Sequence, residues 1–248
     1  SKLPWRLFVP PFYVFYLKVL LLDLWDEITR SMCEALRKGF GRIFLSNSTS
    51  IFKNLAYEEY LLRTTNIGEG GEVVFMWSNK PAVVVGRHQN PWLEANIPFL
   101  KEYNIDLARR HSGGGTVYHD RDCIRTNASR SVRAPAVGFL KQDDSSVEVH
   151  TARDVLVEHF ASQFEECPVD EVDVDEEVVR NEQCTKILSD LTDWQWIFGK
   201  TPKFWFESGD TKQYVEAGII KECSLGNVGK RFDPIIPTHR VGVVLEQS

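Results

Sequence analysis

The sequence predicts an α+β fold, a mixed and mostly antiparallel sheet with flanking helices. Three observations predict it. Short apolar runs of strand type fall at residues 42–45, 72–77, 82–85 and 105–108. Segments with helical apolar spacing lie among and after them without forming a regular βαβ repeat. The apolar fraction of 43% over 248 residues supplies a real core and excludes global disorder.

The elements follow in order. Residues 42–45 read as a first strand, and residues 46–50 are polar and turn-like. Residues 51–63 place Phe52, Leu55, Tyr60, Leu61 and Leu62 at roughly helical spacing. Residues 66–71 form a glycine-rich loop. Residues 72–77, EVVFMW, and 82–85 are apolar strands about the turn Ser78-Asn79-Lys80-Pro81, which predicts a hairpin. Residues 92–103 predict a helix, and 105–108 a short strand entering a glycine loop. Residues 147–164 predict an amphipathic helix, and 165–177 a solvated acidic loop. Residues 184–198 predict a helix with Trp194 and Trp196 in the core, stopped by Gly199-Lys200-Thr201-Pro202. Residues 212–215 and 219–225 predict a hairpin about Ala217-Gly218.

Composition bounds the partners. A net charge of -6 argues against nucleic acid, whose phosphates want a basic field. The five cysteines, Cys33, Cys123, Cys167, Cys184 and Cys223, form no C-x-x-C pair, so neither a disulfide scaffold nor a metal site is expected. Residues 12–25, FYVFYLKVLLLDLW, are broken by Lys18 and Asp23 and fall short of the ~20 apolar residues of a bilayer span. Basic residues flank this run but are mixed with acids downstream, a poor match to an organelle presequence. Residues 1–40 are therefore expected to be an N-terminal extension, of targeting or artefactual origin.

The most informative stretch is residues 107–120, LARRHSGGGTVYHD. Gly113, Gly114 and Gly115 permit positive φ and close approach of a ligand to the backbone. Their successive N–H groups can form a nest for an anion. Arg109 and Arg110 add fixed positive charge of a shape suited to phosphate or carboxylate. A bare run of three glycines is more simply a surface loop. The arginines, the strand before it and the β-like Thr116-Val117-Tyr118 after it support the anion site equally. No G-K-[ST] follows, so this is not a P-loop, nor is it a G-x-G-x-x-G turn. The motif GRHQNPW at 86–92 puts Arg87 and His88 at a strand end, a usual place for binding groups. His88 and His119 are acid–base candidates by type alone and receive no catalytic role.

VVVGRHQNPWLEAN and LARRHSGGGTVYHD together resemble the signature of the mitochondrial lipoyltransferase and bacterial lipoate–protein ligase family. IRTNASRSVRAP, DWQWIFGKTPKF and the hairpin around AGIIKECSL match later parts in the family's order. The wording RRHSGGGTVYHD differs from the glycine–arginine loop of biotin–protein ligases, which share the fold. The resemblance implies a biotin/lipoate ligase-like catalytic domain at 41–190. A linker helix and partial accessory domain at 191–248 are implied to follow. It also implies transfer of a lipoyl or octanoyl group from an acyl-adenylate to a lysine of a lipoyl domain. Lipoyl-AMP, or lipoate with ATP and magnesium, is the implied substrate, with no tightly bound cofactor. The implied acceptors are lipoyl domains of 2-oxoacid dehydrogenase complexes and the glycine-cleavage H protein. A mitochondrial location follows from the resemblance, and a monomer is expected. By matched position, Arg110, Gly113, Gly114, Gly115, Thr116, Val117 and Tyr118 face the acyl-adenylate. Arg87 and His88 lie beside it, and Asn127 and Ser129 close over the nucleotide.

The sequence departs from the pattern at one place. The family continues after Y-H-D with a G-N-x-N segment and later a K-[IV]-S-G-[ST]-A motif that carries its catalytic lysine. Here Asp120 is followed by Arg121-Asp122-Cys123 and then the IRTNAS piece. The departure implies an internal deletion near 120–124 and an incomplete core. It also leaves a second expectation, an inactive member that only binds lipoyl domains or acyl-adenylate.

Overall fold

The computed structural model describes residues 38–65, 71–119, 148–208, 210–224 and 226–233. Strand β1, Lys38–Ser46, leads into helix α1, Ile51–Thr64, and then strand β2, Glu72–Met76. Ser50 caps α1, its side chain accepting from the Lys53 N–H. Because β1 and β2 pair in parallel, from Gly41 opposite Glu72 to Leu45 opposite Met76, this is a βαβ unit. Strand β3, Ala82–Val85, is followed by the short helices α2, Pro91–Glu94, and α3, Ile97–Glu102, and by strand β4, Asp106–Arg109. β3 and β4 also pair in parallel, so this is a second βαβ unit. Strand β5, Val117–His119, closes that sheet antiparallel to β3.

The second half starts with helix α4, Val149–Ala161. Strands β6, Phe164–Glu166, and β7, Val169–Val172, both add parallel to β1. Helices α5, Val174–Arg180, α6, Glu182–Thr192, and α7, Trp194–Ile197, come next. Strands β8, Phe204–Ser208, β9, Thr211–Glu216, and β10, Ile219–Cys223, form an antiparallel meander. Among the described residues, no helix is long and apolar enough to cross a membrane.

The mixed α+β architecture stands, with one correction. Among the described strands the ladders are parallel at β1–β2, β1–β6, β1–β7 and β3–β4 and antiparallel at the other three, so the sheet is not mostly antiparallel. Parallel neighbours need a crossover of a dozen or more residues, and the segments around α1 and around α2–α3 are that long. The hairpin expected about Ser78–Pro81 is also absent, since β2 and β3 lie in different sheets. That turn crosses between the sheets instead, held by the Lys80 N–H donating to the Thr49 carbonyl at 3.0 Å.

Three further elements differ. The helix expected at 92–103 breaks at Ala95-Asn96, because Asn96 caps α3 with Pro98 in its first turn. The helix expected at 184–198 breaks at Asp193, which caps α7. The acidic stretch 165–177 is not a loop. β1 supplies its ladder, Arg42 pairs with Asp170 at 2.7 Å, and Asp175, Glu176 and Glu177 sit in the first turn of α5, where the helix dipole favours them. The domain boundaries drawn at 40 and 190 fall inside β1 and α6.

The main apolar core lies under α1 and α6, with Ile51, Leu55, Trp77, Val84, Val117, Ile187 and Leu191 packed together. A second cluster joins Trp92 and Ile97 to Phe204, Phe206, Val215, Ile220 and Phe232 of the C-terminal meander.

Candidate functional site

The site lies where β3 and β4 end. Past Val85 the chain turns through Gly86, Arg87, His88 and Gln89, and past Arg109 it enters the glycine loop. The two segments are bound to each other. The Arg87 N–H donates to the Ser112 carbonyl at 3.0 Å, and the Arg110 N–H to the Val85 carbonyl at 3.1 Å. The Gln89 side-chain oxygen accepts from the Gly86 N–H and from the Thr116 hydroxyl, both at 2.8 Å. Gly86 has no room for a side chain, since a Cβ there would lie 2.1 Å from the Gly114 carbonyl oxygen. Gly114 has a φ of 96°, a left-handed conformation that favours glycine. Gly113 faces open space, where a Cβ would meet nothing.

The two arginines do different work. β4 alternates its faces, so Leu107 and Arg109 point one way and Ala108 and Arg110 the other. Leu107 packs on the C-terminal aromatic cluster and Ala108 in the main core. Arg110 turns back on its own loop. Its guanidinium donates to the Gly113 carbonyl at 2.8 Å and 3.2 Å, the Gly115 carbonyl at 2.8 Å and the Val84 carbonyl at 3.3 Å. A trans peptide sets its N–H opposite its C=O. Hence the Gly114 and Thr116 N–H groups face away from the guanidinium that binds the carbonyls of Gly113 and Gly115. Arg109, expected to add fixed positive charge beside the loop, is fully buried. Every acceptor of its side chain is a carbonyl or a hydroxyl. Burial pushes its pKa down to about 10, which leaves it charged at neutral pH.

The other residues singled out by sequence divide cleanly. Arg87, His88 and Tyr118 are exposed, and Thr116 is half-buried beside Gln89. Val117 packs in the main core beneath the loop. Asn127 and Ser129, and the junction at 120–124, lie outside the described residues. His119 is buried, its ring nitrogen Nδ1 3.0 Å from the Asn79 side-chain amide. That contact ends a buried polar chain: Ser46 donates to Asn54 at 2.6 Å, and Asn54 to Asn79 at 2.9 Å. Gln89 was not picked out, although a polar side chain three residues past a strand-end glycine was the available signal.

Beside the loop opens a cleft of about 630 Å³, between α1, the Arg87–Ser112 contact and the α6–α7 corner. His111 forms part of its wall, 4.4 Å from the Trp196 ring centroid and with Nδ1 3.5 Å from the Glu59 carboxylate. Burial lowers the His111 pKa; Glu59 and Asp190 oppose this, and Arg63 and Arg87 add to it. Among the described residues, no three His, Cys, Asp or Glu side chains converge to hold a metal.

Fold and site together define an α+β protein with a glycine-loop site at the strand ends of a short mixed sheet. Residues 50–161 match the lipoyl protein ligase A/B catalytic domain. Over that segment the chain is similar to the lipoyltransferase and lipoate–protein ligase family. It is 47% identical over 94 residues to the mitochondrial lipoyl amidotransferase LIPT1 of Homo sapiens, covering 36% of this chain and 25% of the relative. It is 44% identical over 79 residues to lipoate-protein ligase A of Bdellovibrio bacteriovorus, covering 32% of this chain and 23% of that one. The chain thus spans about a quarter of the length of these relatives. P. falciparum LipL1, solved in complex with lipoate, matches in fold. The TM-score is 0.51 at 20% identity, over 74% of this chain and 83% of that one.

Proposed function

We propose that this chain acts in protein lipoylation, transferring a lipoyl or octanoyl group from an acyl-adenylate to a lysine of a lipoyl domain. One observation carries the reading. On the segment that matches the family, Arg110 holds the loop carbonyls inward, so that the Gly114 and Thr116 N–H groups face away from it. Donors fixed in advance by the fold stabilise charge on a bound phosphate or carbonyl without reorganising, and one such donor is commonly worth ~3–4 kcal/mol. In this reading Gly113, Gly114, Gly115 and Thr116 face the adenylate. Arg87, His88 and Tyr118 rim it, and Asn127 and Ser129 belong to the segment that closes over the nucleotide. Magnesium enters, if at all, with ATP as substrate, and no step is assigned to it.

The acceptors in this reading are the lipoyl domains of 2-oxoacid dehydrogenase complexes and the H protein. The compartment is the mitochondrion, after the relatives so named. We also retain the division into a catalytic region near 41–190 and an accessory region from about 191. A second reading, a member that binds without transferring, is favoured by the absence of any K-[IV]-S-G-[ST]-A motif in the sequence.

Single-turnover transfer separates the two. The purified chain is incubated with preformed lipoyl-adenylate and an apo lipoyl domain, and the domain is weighed by intact mass spectrometry. A lipoyl mass gain above the no-enzyme control is expected. No gain, while a full-length relative succeeds in parallel, rejects the transferase and leaves the binding protein.

A further inference from the structure

We propose that Arg109 is a positioning residue, which fixes the glycine-loop site to the segment joining α7 to β8 through the backbone of the 86–89 turn. The inference rests on the reading of that loop as the acyl-adenylate site. Its basis is the full set of partners of one buried side chain. Nη1 donates to three carbonyls of the turn, those of Gly86 at 3.1 Å, Arg87 at 2.9 Å and Gln89 at 2.8 Å. Nε and Nη2 donate to the Ile197 carbonyl at 2.9 Å and 2.6 Å, and Nη2 also to the Thr201 hydroxyl at 3.1 Å. Ile197 ends α7 and Thr201 stands just before β8, so one guanidinium spans segments 88 and 92 residues away in sequence.

Two other contacts make the connection stiff. The Trp196 indole N–H donates to the Arg109 carbonyl at 2.7 Å. At the far end of the turn, Trp92 packs its ring against Phe198, Phe204 and Phe232, with centroids 5.1–5.8 Å away. The turn is therefore fastened to the C-terminal unit at both ends. Its movement reaches the glycine loop directly, through the Arg87–Ser112 hydrogen bond and the tight approach of Gly86 to Gly114. A lysine carries the charge but not the planar fork, and cannot reach both sets of acceptors in the same way.

Hydrogen exchange on the full chain tests this with Arg109→Lys and Thr201→Val. Amides at 86–90 and 110–116 are expected to exchange about tenfold faster in both variants, while those of α1 and of the β9–β10 hairpin keep their rates. Uniform acceleration along the chain makes Arg109 a general stabiliser and overturns the proposal, as does an unchanged loop in both variants. If Arg109→Lys fails to fold, Thr201→Val decides, since it removes one acceptor and keeps the shape. In parallel, each variant is titrated with a non-hydrolysable lipoyl-sulfamoyl adenosine, with an expected loss of affinity. If the wild-type chain does not bind this probe, the acyl-adenylate reading fails, and the exchange pattern alone decides the coupling.

Discussion

β1 gives nine residues to its sheet and is paired on both sides, five register positions with β2 and four with β7. β3 gives four residues, paired at four positions with β4 and three with β5. The β1 sheet relies on its ladders and on apolar burial, with Ile43 fully buried and Val174 and Val178 packed beside Tyr57. The shorter β3 sheet relies far more on side-chain hydrogen bonds to the backbone. Arg109, Arg110 and Gln89 hold its loop ends, and the Asn54–Asn79–His119 chain holds its base. Short strands give few cooperative backbone bonds, so the residual freedom of the ends is removed by fixed polar contacts. The comparison teaches where the two kinds of damage fall. Apolar truncation weakens the whole fold, whereas polar truncation near β3 loosens the site first.

The largest expected effect tests the apolar side. Leu191 is fully buried in the main core, which holds Val84, Ala108 and Val117 of the β3 sheet and has Phe75 of β2 packed against it. Leu191→Ala is expected to cost about 3 kcal/mol, from lost transfer energy and the cavity left behind. Urea unfolding should show a lower midpoint and one transition. Two separated transitions would mean that the sheets unfold independently, and the comparison would have to be redrawn.

Next comes the polar base. Asn79 is 1% exposed and joins Asn54 to His119. Asn79→Ala removes an acceptor from one buried partner and a contact from the other, at a cost of about 2 kcal/mol. The loss should appear in the urea midpoint and in faster exchange of the β5 amides. A change confined to α1 would show that the chain serves the helix and not the β3 sheet.

Much of this was legible in the sequence, and the failures share a cause. Helix α1, strands β2 and β3, the strand before the glycine loop and the β9–β10 hairpin follow from local spacing and turn chemistry. Pairing partners did not, because a ladder is a contact between distant segments. The stretch 165–177 reads as a solvated acidic run until β1 and Arg42 are placed beside it. Arg109 and Arg110 are the same residue type in adjacent positions, so composition cannot separate them. The alternation of β4 could have done so: Leu107 and Arg109 share a face, and that face meets the C-terminal aromatic cluster. The region carrying Asn127 and Ser129 lies outside the described residues.

Gly86 sharpens the comparison at the site itself. A methyl group there meets the Gly114 carbonyl oxygen at 2.1 Å, a backbone atom that cannot rotate away. Gly86→Ala is expected to displace the loop at a cost of roughly 1–3 kcal/mol, the usual range for overpacking. Affinity for the lipoyl-sulfamoyl adenosine probe should fall about tenfold, measured by calorimetry. Gly39→Ala in β1 is the control, since a Cβ there meets nothing and lies outside the site. Equal losses in the two variants would mean that the close approach of Gly86 to Gly114 does not set the requirement.

The smallest effect is a pH dependence. His111 faces Glu59 and Arg63 from α1, Arg87 from the turn and Asp190 from α6, and it lies against Trp196. Burial is the strongest influence and places its pKa below the ordinary value of 6.5. The unfolded chain therefore takes up a proton more readily than the folded one. The stability held by neutral His111 is complete above about pH 6.5 and is lost as the pH falls through the lower folded value. Urea midpoints measured from neutral pH down toward pH 5 should fall in the wild type and fall less in His111→Asn. Identical slopes would show that Glu59 and Asp190 offset the burial of His111 in full.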